Sequence, residues 1–300
     1  MTSYLLAGIG ELLWDVLPGG EVLGGAPVNF AYHASALGAT GVPISTIGLD
    51  PRGDRALEQL RERGLQTAAI SRIEMPTGFV EVTVDAAGVA RYFFPQEVAW
   101  DHLRINEYAA GLQGRLDAVC YGTLGQRSAH ARQVIGRFLD ALPEKTLRVF
   151  DVNLRQHFYE KEVLVSSLQR GDILKLSNDE LPEITALLGL AAEPEPVLAE
   201  ILDRYDLTMV VYTRGDRGSL LLTAAQRDEH PGGSVQVVDT IGAGDCFTAA
   251  ATIGHLQGFS LAEINQRANR LAAYVCSQQG AMPTIPPELR LVLSAASPSR

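Results

Sequence analysis

Short runs of apolar and β-branched residues alternate with segments of helical periodicity along most of the chain. This alternation constrains the fold more than any other feature of the sequence. The apolar runs lie at 4–9, 42–47, 118–121, 148–152, 172–176, 208–213 and 235–238. Helical periodicity is clear at 56–63 and 129–142. Because apolar strands that alternate with helices form parallel sheets covered on both faces, the sequence predicts an α/β fold with a central, mostly parallel sheet.

One stretch departs from this alternation. Two β-rich runs, 79–84 and 89–94, are joined by a short turn at 85–88 that contains a glycine. Such a pattern predicts an antiparallel hairpin, and a hairpin inserted into a βα series should stand off the main sheet. Two interpretations remain open: a ribbon at the edge of the sheet, or a small lid that excludes water from a site.

Composition and charge exclude several classes of protein. The chain has 300 residues without a long linker or repeat, so a single domain spanning 1–300 is expected. A net charge of −10 without a basic patch argues against nucleic-acid binding, and no apolar run reaches the ~18 residues that a membrane span needs. The three cysteines are widely spaced and suggest no disulfide framework, so a cytoplasmic location is expected.

The most informative segment is 235–248, where an apolar run leads into a Gly-Ala-Gly turn at 242–244 and then into a helical pattern. Glycines at the start of a helix leave backbone N–H groups uncovered, and the helix dipole makes that end attractive to anions. Asp245 lies in the first helical turn. It is either the cap of an ordinary turn or a functional carboxylate beside an anion site.

A second glycine-rich segment lies near the N-terminus. Gly24 and Gly25 precede a predicted helix that contains Pro27 in its first turn, Asn29 one turn in and Gly38 at its end. The glycine pair would let a ligand approach the backbone closely, and Asn29 could hydrogen-bond a hydroxyl group. The alternative is a tight loop into a helix, with Asn29 exposed to solvent.

Together these segments resemble the two signatures of the ribokinase-like (PfkB) carbohydrate kinases. Gly25 and Asn29 match the first, and Asp-Thr-Ile-Gly-Ala-Gly-Asp at 239–245 matches the second without a gap. The order, separation and total length also agree, so the resemblance covers nearly the whole chain. It implies a ribokinase-like fold in which a small β lid, formed by segments about 11–24 and 78–96, stands beside the main sheet.

The resemblance also implies roles for individual residues. Asp245 would accept the proton of a sugar hydroxyl, while the N–H groups of Gly242, Ala243 and Gly244 would stabilise the charge on the transferred phosphoryl group. The sugar would be bound by Asp15, Gly24, Gly25, Asn29 and Arg155. If the hairpin is the lid, an aromatic residue there could form a wall for the sugar or could simply pack within the lid; the candidates are Trp14, Phe79, Phe93 and Phe94. The nucleotide would be bound by Ser177, Thr213, Gly215 and Asn269. Glu180 would act at Mg²⁺. Asp239 would hold a monovalent cation, often K⁺, or would instead be a structural carboxylate that caps the turn.

Three of these assignments carry further expectations. Ser177 stands where the family has Asn, with Asn178 one position late, so either could take that place near the metal. Arg155 could clamp the substrate or instead form a surface ion pair with Asp151 or Glu160. The helix N-terminus should lower the pKa of Asp245 and make it a weak base, which is acceptable if proton transfer is late.

The resemblance predicts an ATP-dependent sugar kinase that uses Mg²⁺. Segments 10–15, 94–101 and 151–155 most resemble fructokinases, so fructose is the first substrate to consider. Alternatives are 2-keto-3-deoxygluconate, ribose and nucleosides. Lid-to-lid homodimers occur in the family, whereas neither nucleic acid nor membrane is an expected partner. Two other classes of protein have less support. Asp245 argues against an inactive nucleotide-binding regulator. An NAD-dependent oxidoreductase is disfavoured because Gly8-Ile9-Gly10 lacks the third glycine of the dinucleotide-binding fingerprint.

Overall fold

The computed structural model describes residues 4–17, 19–84, 90–190 and 193–294. The strands within these ranges are β1 (Leu5–Ile9), β2 (Leu13–Leu17), β3 (Gly20–Gly24), β4 (Thr40–Gly48), β5 (Ile70–Ile73), β6 (Gly78–Val84), β7 (Ala90–Phe93), β8 (Ala118–Tyr121), β9 (Leu147–Asp151), β10 (Ile173–Ser177), β11 (Met209–Thr213), β12 (Ser219–Leu222) and β13 (Arg227–His230). The helices are α1 (Ala26–Ala36), α2 (Pro51–Glu62), α3 (Glu107–Leu112), α4 (Ala129–Asp140), α5 (Lys161–Leu168), α6 (Leu181–Leu188), α7 (Pro194–Arg204), α8 (Ala243–Leu256), α9 (Leu261–Cys276) and α10 (Pro287–Ser294).

Nine strands form the central sheet, in the order β13-β12-β11-β10-β9-β8-β1-β4-β5. The seven strands from β11 to β5 in that order are parallel, and the last two, β12 and β13, add antiparallel pairs at one edge. The predicted α/β fold with a mostly parallel sheet is confirmed. The antiparallel edge was not foreseen.

The apolar run at 235–238 is not a strand, so that prediction was wrong. Val237 and Val238 are 59% and 60% exposed. The backbone N–H of Val238 donates to the carbonyl of Cys276, 2.9 Å away at the end of α9. β-Branched residues favour extended chain, but this segment crosses the end of a helix and joins no strand.

Helices cover both faces of the central sheet, as predicted. Side chains alternate along β1, so that Leu6 packs in one hydrophobic core while Ala7 and Ile9 pack in the other. The first core also contains side chains of α1, α2, α8, α9 and α10, and the second contains side chains of α3 to α7. No helix among the described residues is long and apolar enough to cross a bilayer.

A second sheet of four strands, in the order β3-β2-β6-β7, contains the predicted hairpin. β6 and β7 pair antiparallel, while the turn at 85–88 lies outside the described residues. β2 joins β6 in parallel, so the hairpin is not an edge ribbon of the main sheet. Leu13 and Val80 on one face of the small sheet pack with Phe94, Trp100 and Leu124 in a third core.

The parallel arrangement fixes where a site can form. The carboxyl ends of parallel strands meet at one edge of a sheet, and ligands of such folds bind outside that edge. Glu11 follows β1, Arg155 follows β9, Ser177 ends β10 and Thr213 ends β11. The first turn of α8, which carries Asp245, reaches the same edge, because Thr248 of that helix hydrogen-bonds Asp151 at the end of β9.

Candidate active site

The glycine turn at the start of α8 presents free backbone donors. Gly242 caps the helix with φ of 79°, and a Cβ at this position would lie 2.3 Å from the carbonyl oxygen of Ala281. Of the three predicted donors, Ala243 uses its N–H on the carbonyl oxygen of Thr240, whereas the N–H groups of Gly242 and Gly244, and that of Asp245, have no acceptor in the described part of the chain. The turn can therefore bind an anion through three uncommitted N–H groups.

Substitution of Gly242 by alanine tests this turn. The new methyl group would clash with Ala281, and the left-handed backbone would be strained. Because a shift of about 1 Å at a catalytic group can cost about a hundredfold in rate, we expect kcat of G242A to fall about tenfold to a hundredfold in a steady-state assay. Gly258 is a matched control, since it also has positive φ (71°) but has open space around it. Equal kcat in G242A and G258A would contradict the assignment.

Asn29 and Asp245, from the two glycine-rich segments, are in direct contact. The Asn29 Nδ2 donates to the Asp245 Oδ2 at 2.7 Å, although the residues are 216 positions apart. Gly25 caps α1 with φ of 113°, and a Cβ there would lie 2.4 Å from the carbonyl of Glu11. The glycine is therefore required for the close packing that brings Asn29 to Asp245.

The pKa of Asp245 is raised to about 6, so the predicted lowering was wrong. Burial is the largest cause, and the charge of Asp151 adds to it. The hydrogen bond from Asn29 and the charge of Lys175 oppose the shift without cancelling it. A carboxylate with a pKa near 6 is a better general base at neutral pH than one with an ordinary pKa.

A buried ion pair lies under the glycine turn. The Lys175 Nζ donates to the Asp151 Oδ1 at 2.9 Å, and the Thr248 Oγ1 donates to the Asp151 Oδ2 at 2.7 Å. A Cβ on Gly244 would lie 3.2 Å from the Lys175 Nζ, so the ammonium is directly beside the turn. Asp151 and Glu180 hold the pKa of Lys175 above its ordinary value despite burial.

Sequence reasoning gave no role to Lys175 or Thr248, and it placed Asp151 only in a family segment or in an ion pair with Arg155. One signal was present, since Lys175 is a lysine inside an apolar strand. Lysines are almost never fully buried unless they are paired.

Asp15 and Arg155 belong to the same group of charged residues as Asp245. A Cβ on Gly24 would be 3.0 Å from the Asp15 Oδ2, so the carboxyl group lies over the glycine pair. Burial raises the pKa of Asp15 to about 6, while Arg155 opposes and Asp239 reinforces the shift. The charge of Arg155 also acts on Asp245. The structure thus brings Asp15, Gly24 and Arg155 together with Asn29 and Asp245.

The structure does not form the ion-pair alternative for Arg155, because no ion pair joins it to either suggested partner in the described part of the chain, and both partners pair with other residues. Asp151 pairs with Lys175, and Glu160 pairs with Arg132. Arg155 is exposed, and its Nη1 donates to the carbonyl oxygen of Leu154. Its guanidinium can therefore contact a ligand.

Phe93 does not lie with Asp15, another predicted sugar-binding residue of the small sheet. Asp15 pairs with Val80, whereas Phe93 pairs with Glu81, the next residue of β6. Neighbouring residues of a strand point to opposite faces of a sheet, so Phe93 and Asp15 lie on opposite faces of the small sheet. The Phe93 side chain is 60% exposed. The structure separates Phe93 from the other residues that were predicted to bind the sugar.

The predicted nucleotide-binding residues form a row along the neighbouring strands. Ser177 pairs with Thr213, and Thr213 pairs with Ser219. The Asn269 Nδ2 donates to the Ser219 Oγ at 2.7 Å, which places Asn269 beside this row. Gly215 follows Thr213 with φ of 62°. The amide donors of Asn269 are used within the protein, so a ligand could reach only its carbonyl oxygen.

Glu180 is held beside Ser177 by three hydrogen bonds. The Ser177 N–H and Oγ donate to its Oε2 at 2.7 and 2.8 Å, and the Leu154 N–H donates to its Oε1 at 2.8 Å. Burial would raise the pKa of Glu180, but the charge of Lys175 and these hydrogen bonds lower it. The Asn178 amide contacts Asp179 instead. Ser177, rather than Asn178, is therefore the residue next to Glu180.

Asp239 joins two loops at the start of α8. Its Oδ1 accepts from the N–H of Ile241 and its Oδ2 accepts from the N–H of Gly280, both at 3.0 Å. Nowhere in the described ranges do three or more His, Cys, Asp or Glu side chains form a group that could hold a metal ion. An ionised Glu180 suits Mg²⁺, which keeps waters and needs only one or two carboxylates besides phosphates.

The chain is similar to known carbohydrate kinases in sequence and in fold. The profile of the "pfkB family carbohydrate kinase" matches residues 19–288. An uncharacterized sugar kinase of Pyrococcus horikoshii is 29% identical, over 93% of this chain and 92% of its own. Fructokinase-1 of Oryza sativa is 26% identical, over 97% of each chain. The Pyrococcus structure in complex with ATP covers 96% of this chain and 99% of its own with a TM-score of 0.81.

A fructokinase of Xylella fastidiosa, at 21% identity, shares the fold over 97% of both chains with a TM-score of 0.83. The chain belongs to the pfkB family of carbohydrate kinases, since the profile matches most of its length. The prediction of an ATP-dependent carbohydrate kinase is confirmed at the level of this family.

Proposed function

We propose that this enzyme transfers the γ-phosphoryl group of ATP to a hydroxyl of fructose, with Asp245 as the general base. The observation that carries the proposal is the contact between Asn29 and Asp245 at the free N–H groups of the α8 turn. This contact supports the proposal because the amide would bind a hydroxyl, the carboxylate would accept its proton, and the N–H groups would bind the phosphoryl group, all at the start of α8. That combination is what phosphoryl transfer to an alcohol requires.

The sugar would be held on one side of Asp245 and the nucleotide on the other. Asp15, Asn29 and Arg155 would bind the sugar hydroxyls, and the small sheet that carries Asp15 would act as a lid. The Gly244 and Asp245 N–H groups would receive the charge that develops on the transferred phosphoryl group, without reorganising as it develops. Lys175 beneath the turn adds a fixed positive charge there.

Mg²⁺, when bound with ATP, would neutralise charge on the phosphate oxygens, and Glu180 would hold it through a water molecule. The resemblance further predicts a K⁺ ion beside Asp239. It also predicts a homodimer formed through the lid. A cytoplasmic enzyme fits the same proposal, because ATP is supplied there and the three cysteines are free thiols.

The pKa of Asp245 sets a pH dependence. A base must be ionised to accept a proton, and burial raises the pKa of Asp245 to about 6. We therefore expect kcat/KM for the sugar to fall as the pH decreases through about 6, by tenfold per pH unit once the base is protonated. A pH profile with saturating ATP measures this. Constant kcat/KM down to about pH 4.5 would contradict the assignment.

The choice of fructose rests on the fructokinase-like segments and on the fructokinase relatives. Acidic 2-keto-3-deoxygluconate is the main competitor, because the exposed Arg155 guanidinium could also pair with a carboxylate. Ribose and nucleosides remain further alternatives. A coupled assay of ADP release over these four substrates should give the highest kcat/KM with fructose.

Arg155→Met distinguishes the two leading substrates. On a neutral sugar the lost contact is a hydrogen bond, so KM for fructose should rise by about tenfold. On an acidic sugar the lost contact is a charged pair and the loss should be larger, roughly a hundredfold. If the wild-type kcat/KM is higher with the acidic sugar than with fructose, and R155M loses this preference, the acidic sugar and not fructose is the substrate.

A further inference from the structure

Glu11 is a buried acid that the mechanism above leaves unused. It follows β1 and is only 1% exposed. Its Oε1 accepts from the backbone N–H of Ala26 at 3.3 Å, but its Oε2 is buried without a hydrogen-bond partner in the described part of the chain. A Cβ on Gly125 would lie 3.1 Å from that oxygen, so the segment after β8 closes over it. Such a carboxylate oxygen is costly to leave unpaired.

Asn29, in the first turn of α1, also has a buried oxygen without a hydrogen-bond donor among the described residues. It is 4% exposed, and its Nδ2 donates to Asp245 while its Oδ1 is buried without a donor. Two buried oxygens that lack donors therefore belong to side chains at the start of α1, because Glu11 contacts the N–H of Ala26 and Asn29 lies in the first turn of that helix. One proton would resolve both defects, because a protonated carboxyl is a donor and the amide oxygen is an acceptor.

The surroundings of Glu11 favour the protonated form of its carboxyl group. Burial is the largest influence and raises its pKa to about 7. Asp245 on α8 raises the pKa further, whereas the backbone N–H groups of Glu11 and Ala26 and the charge of Arg155 lower it. The Cys120 thiol on β8, whose own pKa burial raises, stays neutral.

We propose that Glu11 is a positioning residue, held as a neutral carboxylic acid whose O–H donates to the Asn29 amide oxygen and so keeps the Asn29 N–H on Asp245. The inference rests on the proposed role of Asp245 as the base. An asparagine amide can bind in two orientations that exchange its oxygen and nitrogen. Ionised Glu11 accepts only, so it favours the orientation that turns the Asn29 oxygen toward the Asp245 carboxylate.

The proposal predicts an alkaline limb in the pH profile. Activity should fall as Glu11 loses its proton, above about pH 7, in addition to the acid limb from Asp245. Glu11→Gln keeps a neutral donor in the same place and cannot ionise. E11Q should therefore keep kcat/KM within about threefold at neutral pH and lose the alkaline limb, whereas E11L should lose about a hundredfold.

Two kinetic results would overturn the proposal. One is an E11Q enzyme as inactive as E11L, because that would show that the negative charge is what matters. The other is an alkaline limb that persists in E11Q, because another group would then cause it.

A stability measurement tests the protonation without using activity. A carboxyl whose pKa is raised by folding, from an ordinary 4.5 to about 7, stabilises the folded state most below the ordinary value and loses that contribution as the pH rises to the folded value. The Tm of wild type minus that of E11Q should therefore fall between about pH 5 and about pH 8. Glu62→Gln, on the exposed side of α2, is the control and should show no such change.

A Tm difference that does not vary with pH would refute the neutral Glu11, whichever sugar is the substrate. Failure of the proposed function would look different. An active Asp245→Asn enzyme would remove Asp245 as the base and leave the Tm result unaffected.

Discussion

Replacing Asp245 by asparagine is expected to lower kcat by about a hundredfold to ten-thousandfold, the usual contribution of a general base. Asparagine has nearly the same shape and can still accept the hydrogen bond from Asn29 through its carbonyl oxygen. It cannot accept the proton of the sugar hydroxyl. The dissociation constants of ATP and sugar should therefore stay close to those of the wild type, while turnover is lost.

Steady-state kinetics and calorimetric titration with ATP and fructose measure the two parts of this result. Asp203→Asn, on the exposed surface of α7, controls for the loss of one negative charge. Wild-type kcat in D245N would show that the carboxylate is not the base. A loss of sugar binding equal to the loss of kcat would show that Asp245 binds substrate rather than reacting.

Replacing Lys175 by methionine is expected to destabilise the fold by about 3 kcal/mol, because it leaves the buried Asp151 carboxylate without its ion-pair partner. Methionine keeps the length and apolar body of the side chain. Losing the Lys175 charge should also raise the pKa of Asp245 further, since that charge now lowers it. The acid limb of the pH profile should then move to higher pH.

Denaturant unfolding of K175M, compared with the exposed Lys161→Met, measures the stability change. Asp151→Asn in the K175M background should recover part of the loss, because the unpaired charge is then gone and Asn can still accept from Thr248. Equal stability of K175M and K161M would contradict the assignment of a buried ion pair. So would an acid limb that does not move.

The sequence predicted those parts of the fold and site that local chemistry determines. Apolar strands between amphipathic helices define the covered parallel sheet, and the turn of Gly242 needs glycine for its left-handed backbone. The resemblance assigned both Asn29 and Asp245 to the site, but no local pattern could show that they are in contact across 216 positions.

The remaining features depend on tertiary structure. The pKa of Asp245 rises because burial outweighs the helix N-terminus, and burial cannot be read from one segment. Phe93 was assigned to the sugar from its place in the hairpin, but the strand register turns it to the opposite face from Asp15. Glu11 and Lys175 received no individual role from the sequence, because the burial and the contacts of both side chains depend on the tertiary fold.

The central claim is that the N–H groups at the start of α8 receive the migrating phosphoryl group while Asp245 faces the attacking hydroxyl. A crystal structure with ADP, Mg²⁺, a planar metal-fluoride mimic of that group and fructose tests it most directly. We predict the mimic within hydrogen-bond distance of the Gly244 and Asp245 N–H groups, and a sugar hydroxyl on the Asp245 carboxylate. A mimic bound elsewhere, with this turn contacting neither nucleotide nor sugar, would contradict the account.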